Sequence, residues 1–249
     1  MPTVLAAPSS RRGKPLDILV AGIFIPFIVI WSLGSHGLLC HHRHSSASTP
    51  VEITLEISSM ALTPSTMIPL GTSCPTFALT DTMSGKMYRD TDFKGKPLLV
   101  MFLCNHCPFV VHVQSELAHL GQEYAARAIA VVGICSNDVE SHPSDSPTHM
   151  VEMAKKNTWT FPYLHDATQE VARAFHAACT PDFFLFDAGH QLVYRGQLDD
   201  SRPKSATLVT GSDLRAALDA ILNGRAPAAD QRPSMGCNIK WKAHSSATT

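Results

Sequence analysis

Charge is scarce in this sequence, and its two signs nearly cancel. The 249 residues include 20 Lys and Arg against 21 Asp and Glu, which gives a formal net charge of −1, and only 16% of the residues are charged. Proteins that bind nucleic acid present a basic surface to the phosphate backbone. The composition offers no such surface, so we exclude nucleic acid as a partner.

The sequence also lacks the cysteine pattern of a small disulfide-stabilised domain and that of a zinc site. Its seven cysteines are an odd number and are unevenly spaced, unlike a secreted disulfide framework. A structural zinc site needs a second pair of ligands, yet Cys135, Cys179 and Cys237 each stand alone. We therefore expect no metal and no cofactor.

The most informative stretch is a C-x-x-C motif at the end of an apolar run. Residues 97–103 are all apolar, Cys104 and Cys107 follow, and Pro108 comes next. The run predicts a strand buried on both faces, and proline is favoured in the first turn of a helix. Thiols at a helix start are typical of a redox site, because the helix dipole and its free N–H groups favour the thiolate.

The order of the other elements predicts an α/β fold, a central mixed sheet with helices on both faces. A β-hairpin with a proline at its entrance precedes the last helix, for which Thr210 or Ser212 is the expected cap. The predicted elements are a helix from residue 109, a strand over 128–135, helices over 148–156 and 168–177, hairpin strands over 182–187 and 191–195, and a helix ending near 222.

Residues 1–34 form a predicted N-terminal segment of different composition, with an uncharged apolar stretch over 18–33. Basic residues precede this stretch, so a membrane anchor there would leave the catalytic domain outside the cytoplasm. The alternative is an over-extended reading frame whose true start is Met60, in which case the protein is cytoplasmic. Residues 35–65, rich in Ser, His and Thr, predict a flexible linker.

Over residues 66–225 the chain resembles the thioredoxin superfamily, in particular its redoxin branch of peroxiredoxins and thiol-disulfide oxidoreductases. Residues 226–249 remain as a C-terminal tail, which Trp241 is expected to dock onto the domain. The segments 179–187, 195–203 and 236–241 are similar to an uncharacterised peroxiredoxin-like group of thioredoxin proteins. The resemblance is carried by Gly71, Pro75, Phe77, Leu79, Asp81, the Gly95-Lys96-Pro97 turn, the Cys104/Cys107 pair and Thr180-Pro181.

The resemblance implies a thiol-disulfide oxidoreductase that acts on protein or small-molecule disulfides and thiols with an unidentified reductant. Cys104, expected to be the more exposed thiol, would attack, Cys107 would resolve the mixed disulfide, and His106 would tune the couple. Pro181 is expected to be cis, and an exposed Thr180 backbone would pair with a substrate chain. Two further cysteines are candidate redox thiols, namely Cys179 and Cys237.

Two other functions stay open at this point. Peroxiredoxins use P-x-x-x-T-x-x-C; when Cys107 is aligned with the last position, Cys104 replaces the Thr and Val100 replaces the Pro. Copper-handling proteins of the Sco type use C-x-x-x-C and a His before the proline loop. This chain has C-x-x-C and Cys179 instead, so thiol peroxidase is the first alternative and copper handling the weaker one.

Overall fold

The computed structural model describes residues 62–243, which form two sheets and four helices. The larger sheet has seven strands in the order β3-β2-β6-β5-β4-β8-β9, and the smaller has the order β1-β10-β7. The strands are β1 (Leu62–Pro64), β2 (Ala78–Asp81), β3 (Met87–Arg89), β4 (Leu98–Phe102), β5 (Ala130–Cys135), β6 (Tyr163–His165), β7 (Cys179–Thr180), β8 (Asp182–Phe186), β9 (Leu192–Gly196) and β10 (Met235–Asn238). The helices are α1 (Pro108–Ala126), α2 (Pro147–Lys156), α3 (Glu170–Ala174) and α4 (Ser212–Leu222).

Strand β4 is the centre of the large sheet. It pairs in parallel with β5 and antiparallel with β8, so that Leu98 lies opposite both Ala130 and Phe186. Every residue of β4 is buried. A strand that is covered on both faces must be apolar throughout, and this confirms the strand that the run over 97–103 predicts.

Helices cover both faces of the sheet, as predicted. Side chains alternate along a strand, so Leu99 and Met101 of β4 share a core with α1, α2 and α4. Val100 and Phe102 point the other way, into a core that α3 closes. The fold is therefore the mixed α/β sheet with helices on both faces that the order of elements predicts.

The smaller sheet joins segments from outside the predicted domain. Strand β1 comes from the predicted linker and β10 from the predicted tail; β10 pairs with β7, and β1 pairs with the other edge of β10. The smaller sheet thus includes strands on both sides of the predicted 66–225 range. Trp241 also lies against the domain, with the Arg173 guanidinium 4.4 Å from its ring centre.

Helix α4 begins differently from the prediction. Its N-cap is Gly211, with φ at 68°. Thr210 precedes this N-cap, and its Oγ1 accepts the backbone N–H of Ser212 at 3.3 Å. The buried carboxylate of Asp199 accepts the backbone N–H groups of Thr210 and Gly211, both at 2.7 Å. The cap comes from an earlier loop, which local sequence rules for capping do not cover.

The predicted anchor over 18–33 lies outside the described residues and stays a prediction. Within residues 62–243 no helix is both long and apolar enough to cross a membrane.

We predict that Phe175→Ala lowers the free energy of unfolding by about 3–5 kcal/mol, because it leaves a cavity in the core. Phe175 is fully buried, and its ring lies within 6.4 Å of those of Phe77, Phe102, Phe184 and Phe186. Urea unfolding followed by circular dichroism measures the loss. Leu208, which is 79% exposed, supplies the control variant Leu208→Ala; equal losses in the two variants would contradict the placement of Phe175.

Candidate redox site

The C-x-x-C motif connects the central strand to the start of the longest helix. Strand β4 ends at Phe102, and Cys107 is the N-cap of α1, with Pro108 as the first helical residue. Both Cys104 and Cys107 are 1% exposed or less. The strand, the cysteine pair and the helix thus occur in the predicted order, but neither thiol is open to solvent.

Three sulfur atoms converge at this point. Cys107 Sγ lies 2.7 Å from Cys237 Sγ of β10, and Cys104 Sγ lies 3.0 Å from Thr180 Oγ1. The carbonyl oxygen of Thr180 is 3.2 Å from Cys107 Sγ and accepts a hydrogen bond when this sulfur carries a proton. The pair therefore contacts two strands of the smaller sheet, β7 and β10.

Hydrogen bonds favour the thiolate at Cys107. Those from the Cys104 and Cys237 thiols, together with the Val110 backbone N–H at the helix start, lower the pKa of Cys107 well below its ordinary value despite burial. Burial and the hydrogen bond to Cys107 raise the pKa of Cys104. Cys104 was expected to be the more exposed thiol, but the structure buries both sulfurs and places Cys107 at the N-cap of α1. Which of the two thiols attacks stays a prediction.

The peptide bond between Thr180 and Pro181 is cis, as predicted. The predicted exposure of Thr180 is wrong, because this residue is 2% exposed and lies opposite Cys237 in the pairing of β7 with β10. The edge expected to receive a substrate strand is thus occupied by the chain's own C-terminal strand.

Glycine allows this close pairing. A Cβ atom at Gly236 would overlap the carbonyl oxygen and carbon of Thr180. These are backbone atoms, which shift less readily than the end of a flexible side chain, so a larger residue at position 236 would disturb the pairing of β10 with β7. Ser234 strengthens the contact by donating a hydrogen bond of 2.7 Å from its Oγ to the Pro181 carbonyl oxygen.

The two additional candidate thiols have different surroundings. Cys237 contacts Cys107, as described above. Cys179 is fully buried, and its Sγ lies 3.6 Å from the carbonyl oxygen of Pro181. Burial and then the nearby Asp182 carboxyl raise the pKa of Cys179 far above its ordinary value. The structure thus brings Cys237 into the sulfur cluster and leaves Cys179 in a packed, protonated position.

His106 pairs with a buried carboxylate that the sequence analysis did not single out. Its Nδ1 lies 2.7 Å from Asp145 Oδ2, and Asp145 is fully buried. The same carboxylate accepts the backbone N–H of Asn105 at 2.7 Å and the side-chain amide of Asn137 at 2.8 Å. Asp145 lies after β5 in a Ser/Asp/Pro-rich loop. The sequence feature that could have pointed to it is an acidic residue shortly after the strand that pairs with β4.

Cys104, His106 and Asp145 are the set of described residues whose geometry could hold a metal ion, with their ligand atoms within 4.8 Å of one another. A thiolate, an imidazole and a carboxylate suit zinc with one open position. Three hydrogen-bonding partners already engage the Asp145 carboxylate. The donors around it favour a hydrogen-bonded loop over a metal site.

A second buried carboxyl lies directly after the cis-proline. Asp182 is fully buried and accepts a hydrogen bond of 2.5 Å from Ser65 Oγ. Burial raises the pKa of Asp182 to about 7, although hydrogen bonds from Ser65 and the Ala178 backbone oppose the shift. Sequence reasoning placed Asp182 in an ordinary hairpin strand and missed it.

Comparison with known proteins identifies the family. The AhpC/TSA family matches residues 70–195. An uncharacterised conserved protein from Geobacillus kaustophilus is 52% identical, with a TM-score of 0.72 over 74% of this chain and 97% of its own. A hypothetical protein from Sinorhizobium meliloti is 47% identical, with a TM-score of 0.71 over 73% of this chain and 99% of its own. The chain belongs to the AhpC/TSA family.

This AhpC/TSA protein is a member of the redoxin branch of the thioredoxin superfamily, as the resemblance implied. At the level of the family, its chemistry is redoxin-like and concerns thiols and disulfides. A candidate protein disulfide isomerase from Bacteroides thetaiotaomicron, 18% identical with a TM-score of 0.50 over 66% of this chain and 95% of its own, shares the fold. No curated protein matches the chain.

The buried Asp182 predicts a stability that falls as the pH rises. The pKa of Asp182 in the folded protein, about 7, exceeds the ordinary value of 3.8. The protonated carboxyl therefore contributes its full stabilisation below pH 3.8, and this contribution is lost as the pH rises through 7. Asp182→Asn removes this titration, and the variant should gain on the order of 2 kcal/mol relative to wild type between pH 5 and pH 8. Urea unfolding at both pH values measures the gain.

The control for this experiment is Asp200→Asn, which removes an exposed carboxylate. Its stability should follow that of the wild type at both pH values. If Asp182→Asn shows the same pH dependence as the wild type, the carboxyl of Asp182 is not held protonated in the folded state.

Proposed function

We propose that this AhpC/TSA protein is a thiol-disulfide oxidoreductase in which Cys104 and Cys107 alternate between dithiol and disulfide. The observation that carries the proposal is the position of Cys107 at the N-cap of α1, where hydrogen bonds from the Cys104 thiol and the Val110 backbone N–H lower its pKa. A thiolate is the nucleophile in disulfide exchange.

The reaction follows from this arrangement. The Cys107 thiolate attacks one sulfur of a substrate disulfide, forms a mixed disulfide and releases the first substrate thiolate. Cys104 then loses its proton and attacks Cys107 Sγ, which releases the second substrate thiolate and leaves a Cys104–Cys107 disulfide. The substrate gains two electrons and the pair loses two, so a separate thiol reductant must restore the dithiol.

Asp145 and His106 are positioning residues in this proposal. Asp145 accepts the Asn105 N–H and pairs with His106, so it holds both residues between the two cysteines. Burial is the main reason that the pKa of Cys104 is raised, and the charge of Asp145 adds to it. The loop thereby keeps the second thiol protonated until the mixed disulfide has formed.

We predict that the full chain accelerates the reduction of insulin disulfides by dithiothreitol. Cys107→Ser should abolish the acceleration, because it removes the attacking thiolate. Because Cys237 Sγ also lies next to Cys107, the double variant Cys104→Ser/Cys237→Ser should retain the first step and accumulate a mixed disulfide on Cys107, which mass spectrometry detects. Cys74→Ser is the control, because Cys74 Sγ bonds the adjacent Pro75 carbonyl oxygen rather than the site. Full turnover in the Cys107→Ser variant would refute the proposal.

Thiol peroxidase activity is a second candidate. In the peroxiredoxin pattern the attacking cysteine aligns with Cys107, whose pKa is lowered by hydrogen bonds from Cys104 and Cys237. The pattern's Thr is replaced by Cys104, but Thr180 places a hydroxyl 3.0 Å from Cys104 Sγ. This hydroxyl could donate a hydrogen bond to a peroxide that the Cys107 thiolate attacks, with water released and a sulfenic acid formed.

Thr180→Val separates the two activities, because it removes the hydroxyl and preserves the shape of the side chain. If the protein is a peroxidase, the variant should lose hydrogen peroxide turnover and keep insulin reduction. Peroxide consumption measured with excess dithiothreitol is the readout, with the Cys107→Ser variant as the blank. A wild-type rate equal to that of the blank would exclude the peroxidase.

A further inference from the structure

The third sulfur of the site comes from the far end of the described chain. Cys237 is 130 positions from Cys107 in sequence, and its Sγ lies 2.7 Å from Cys107 Sγ. A disulfide bond is about 2.05 Å long, so a small movement would join these atoms. Cys107 Sγ also takes a hydrogen bond from Cys104, which makes it the sulfur common to both contacts.

Strand pairing sets the direction of the Cys237 side chain. Cys237 lies opposite Thr180 in the antiparallel register, and Asn238 lies opposite Cys179. Residues directly opposite in an antiparallel pair share one face of the sheet. Thr180 Oγ1 contacts Cys104 Sγ, so the face that carries Cys237 is turned toward the C-x-x-C pair, and that of Cys179 is turned away.

The position of Cys237 is held from both sides. Strand β10 lies between β1 and β7, with Cys237 opposite Leu62 on one side and Thr180 on the other. Ser234 Oγ bonds the Pro181 carbonyl oxygen at 2.7 Å, and the Ser234 N–H bonds Ser65 Oγ at 3.2 Å. Gly236 permits the close approach to Thr180. The thiol is therefore fixed next to Cys107.

We propose that Cys237 is an exchange thiol of the redox site, which attacks Cys107 Sγ of the Cys104–Cys107 disulfide and forms a Cys107–Cys237 disulfide. This inference rests on the proposed function. The Cys104–Cys107 bond breaks, and Cys104 leaves as a thiolate that takes up the proton lost by Cys237. No net oxidation occurs, because one disulfide replaces another. The exchange returns Cys104 to the thiol form without an external reductant.

The surroundings of Cys237 change in the direction that this exchange needs. In the dithiol state its hydrogen bond to the Cys107 thiolate, followed by burial, raises the pKa of Cys237. When Cys107 enters a disulfide it carries no charge, so the larger of these two causes disappears. The Lys240 ammonium group, which lowers the pKa of Cys237, then acts with less opposition.

Tryptic mapping distinguishes the two disulfides. Cleavage after Lys94, Arg127, Arg225 and Lys240 places Cys104 and Cys107 together in peptide 95–127 and Cys237 alone in peptide 226–240. A Cys104–Cys107 disulfide is therefore a loss of two hydrogens within one peptide, whereas a Cys107–Cys237 disulfide cross-links two peptides. The full chain is oxidised with one equivalent of diamide, alkylated in acid, digested and analysed by mass spectrometry.

Wild type should yield both products, and Cys104→Ser should yield the cross-linked peptides as its main product. Cys237→Ser and Cys237→Ala should yield only the disulfide within peptide 95–127. Cys179→Ser is the matched control, a buried cysteine of the same sheet on the other face, and its products should equal those of wild type.

Two outcomes separate failure of this inference from failure of the proposed function. If Cys237→Ser forms the disulfide within peptide 95–127 but neither wild type nor Cys104→Ser yields cross-linked peptides, the exchange role of Cys237 is wrong and the oxidoreductase stands. If Cys237→Ser and Cys237→Ala form no Cys104–Cys107 disulfide while Cys104→Ser still yields the cross-link, the redox pair is Cys107 with Cys237, and both the proposed couple and the exchange from it are wrong.

Discussion

The candidate site depends on the sulfur of Cys107, because this atom contacts both smaller-sheet strands that cover the motif, at Thr180 of β7 and at Cys237 of β10. A thiolate without contact to water needs compensating donors. Cys107 receives them from Cys104, Cys237 and the first turn of α1. These donors come from the motif itself, from the C-terminal strand and from a helix that starts at Cys107. The local chemistry thus depends on contacts between segments that are distant in sequence.

Local features of the chain could be predicted from the sequence. Strand β4 follows from the apolar run over 97–103, and the start of α1 follows from Pro108, since both signals act through the residues that carry them. The cis bond at Thr180-Pro181 was expected from the resemblance to thioredoxin-like proteins. The two-sided packing of helices followed from the alternation of strands and helices along the chain.

The long-range contacts that complete the site, such as the pairing of β10 with β7, could not be predicted from the sequence. Strand β10 is four residues long, too short to show a hydrophobic period, and its pairing with β7 is made by backbone groups that every residue has. Asp145 and Asp182 stand in segments whose local patterns indicate a loop and a hairpin. Their burial depends on what packs over them, which a single sequence does not encode locally. For the same reason the sequence did not reveal that Cys237 of β10 is among the groups that lower the pKa of Cys107.

The pairing of β10 with β7 has a kinetic consequence. Since the three sulfurs are 2% exposed or less, a reagent in solution meets them only after a local opening, and separation of β10 from β7 is the opening that we expect to expose Cys237 and Cys107. When the site closes again faster than the exposed sulfur reacts, the observed reaction rate equals the rate of the exposed sulfur multiplied by the open fraction. The nucleophilicity of the sulfur and the frequency of strand opening are then independent variables, so the AhpC/TSA protein can hold a strongly activated thiolate and still react slowly with passing oxidants.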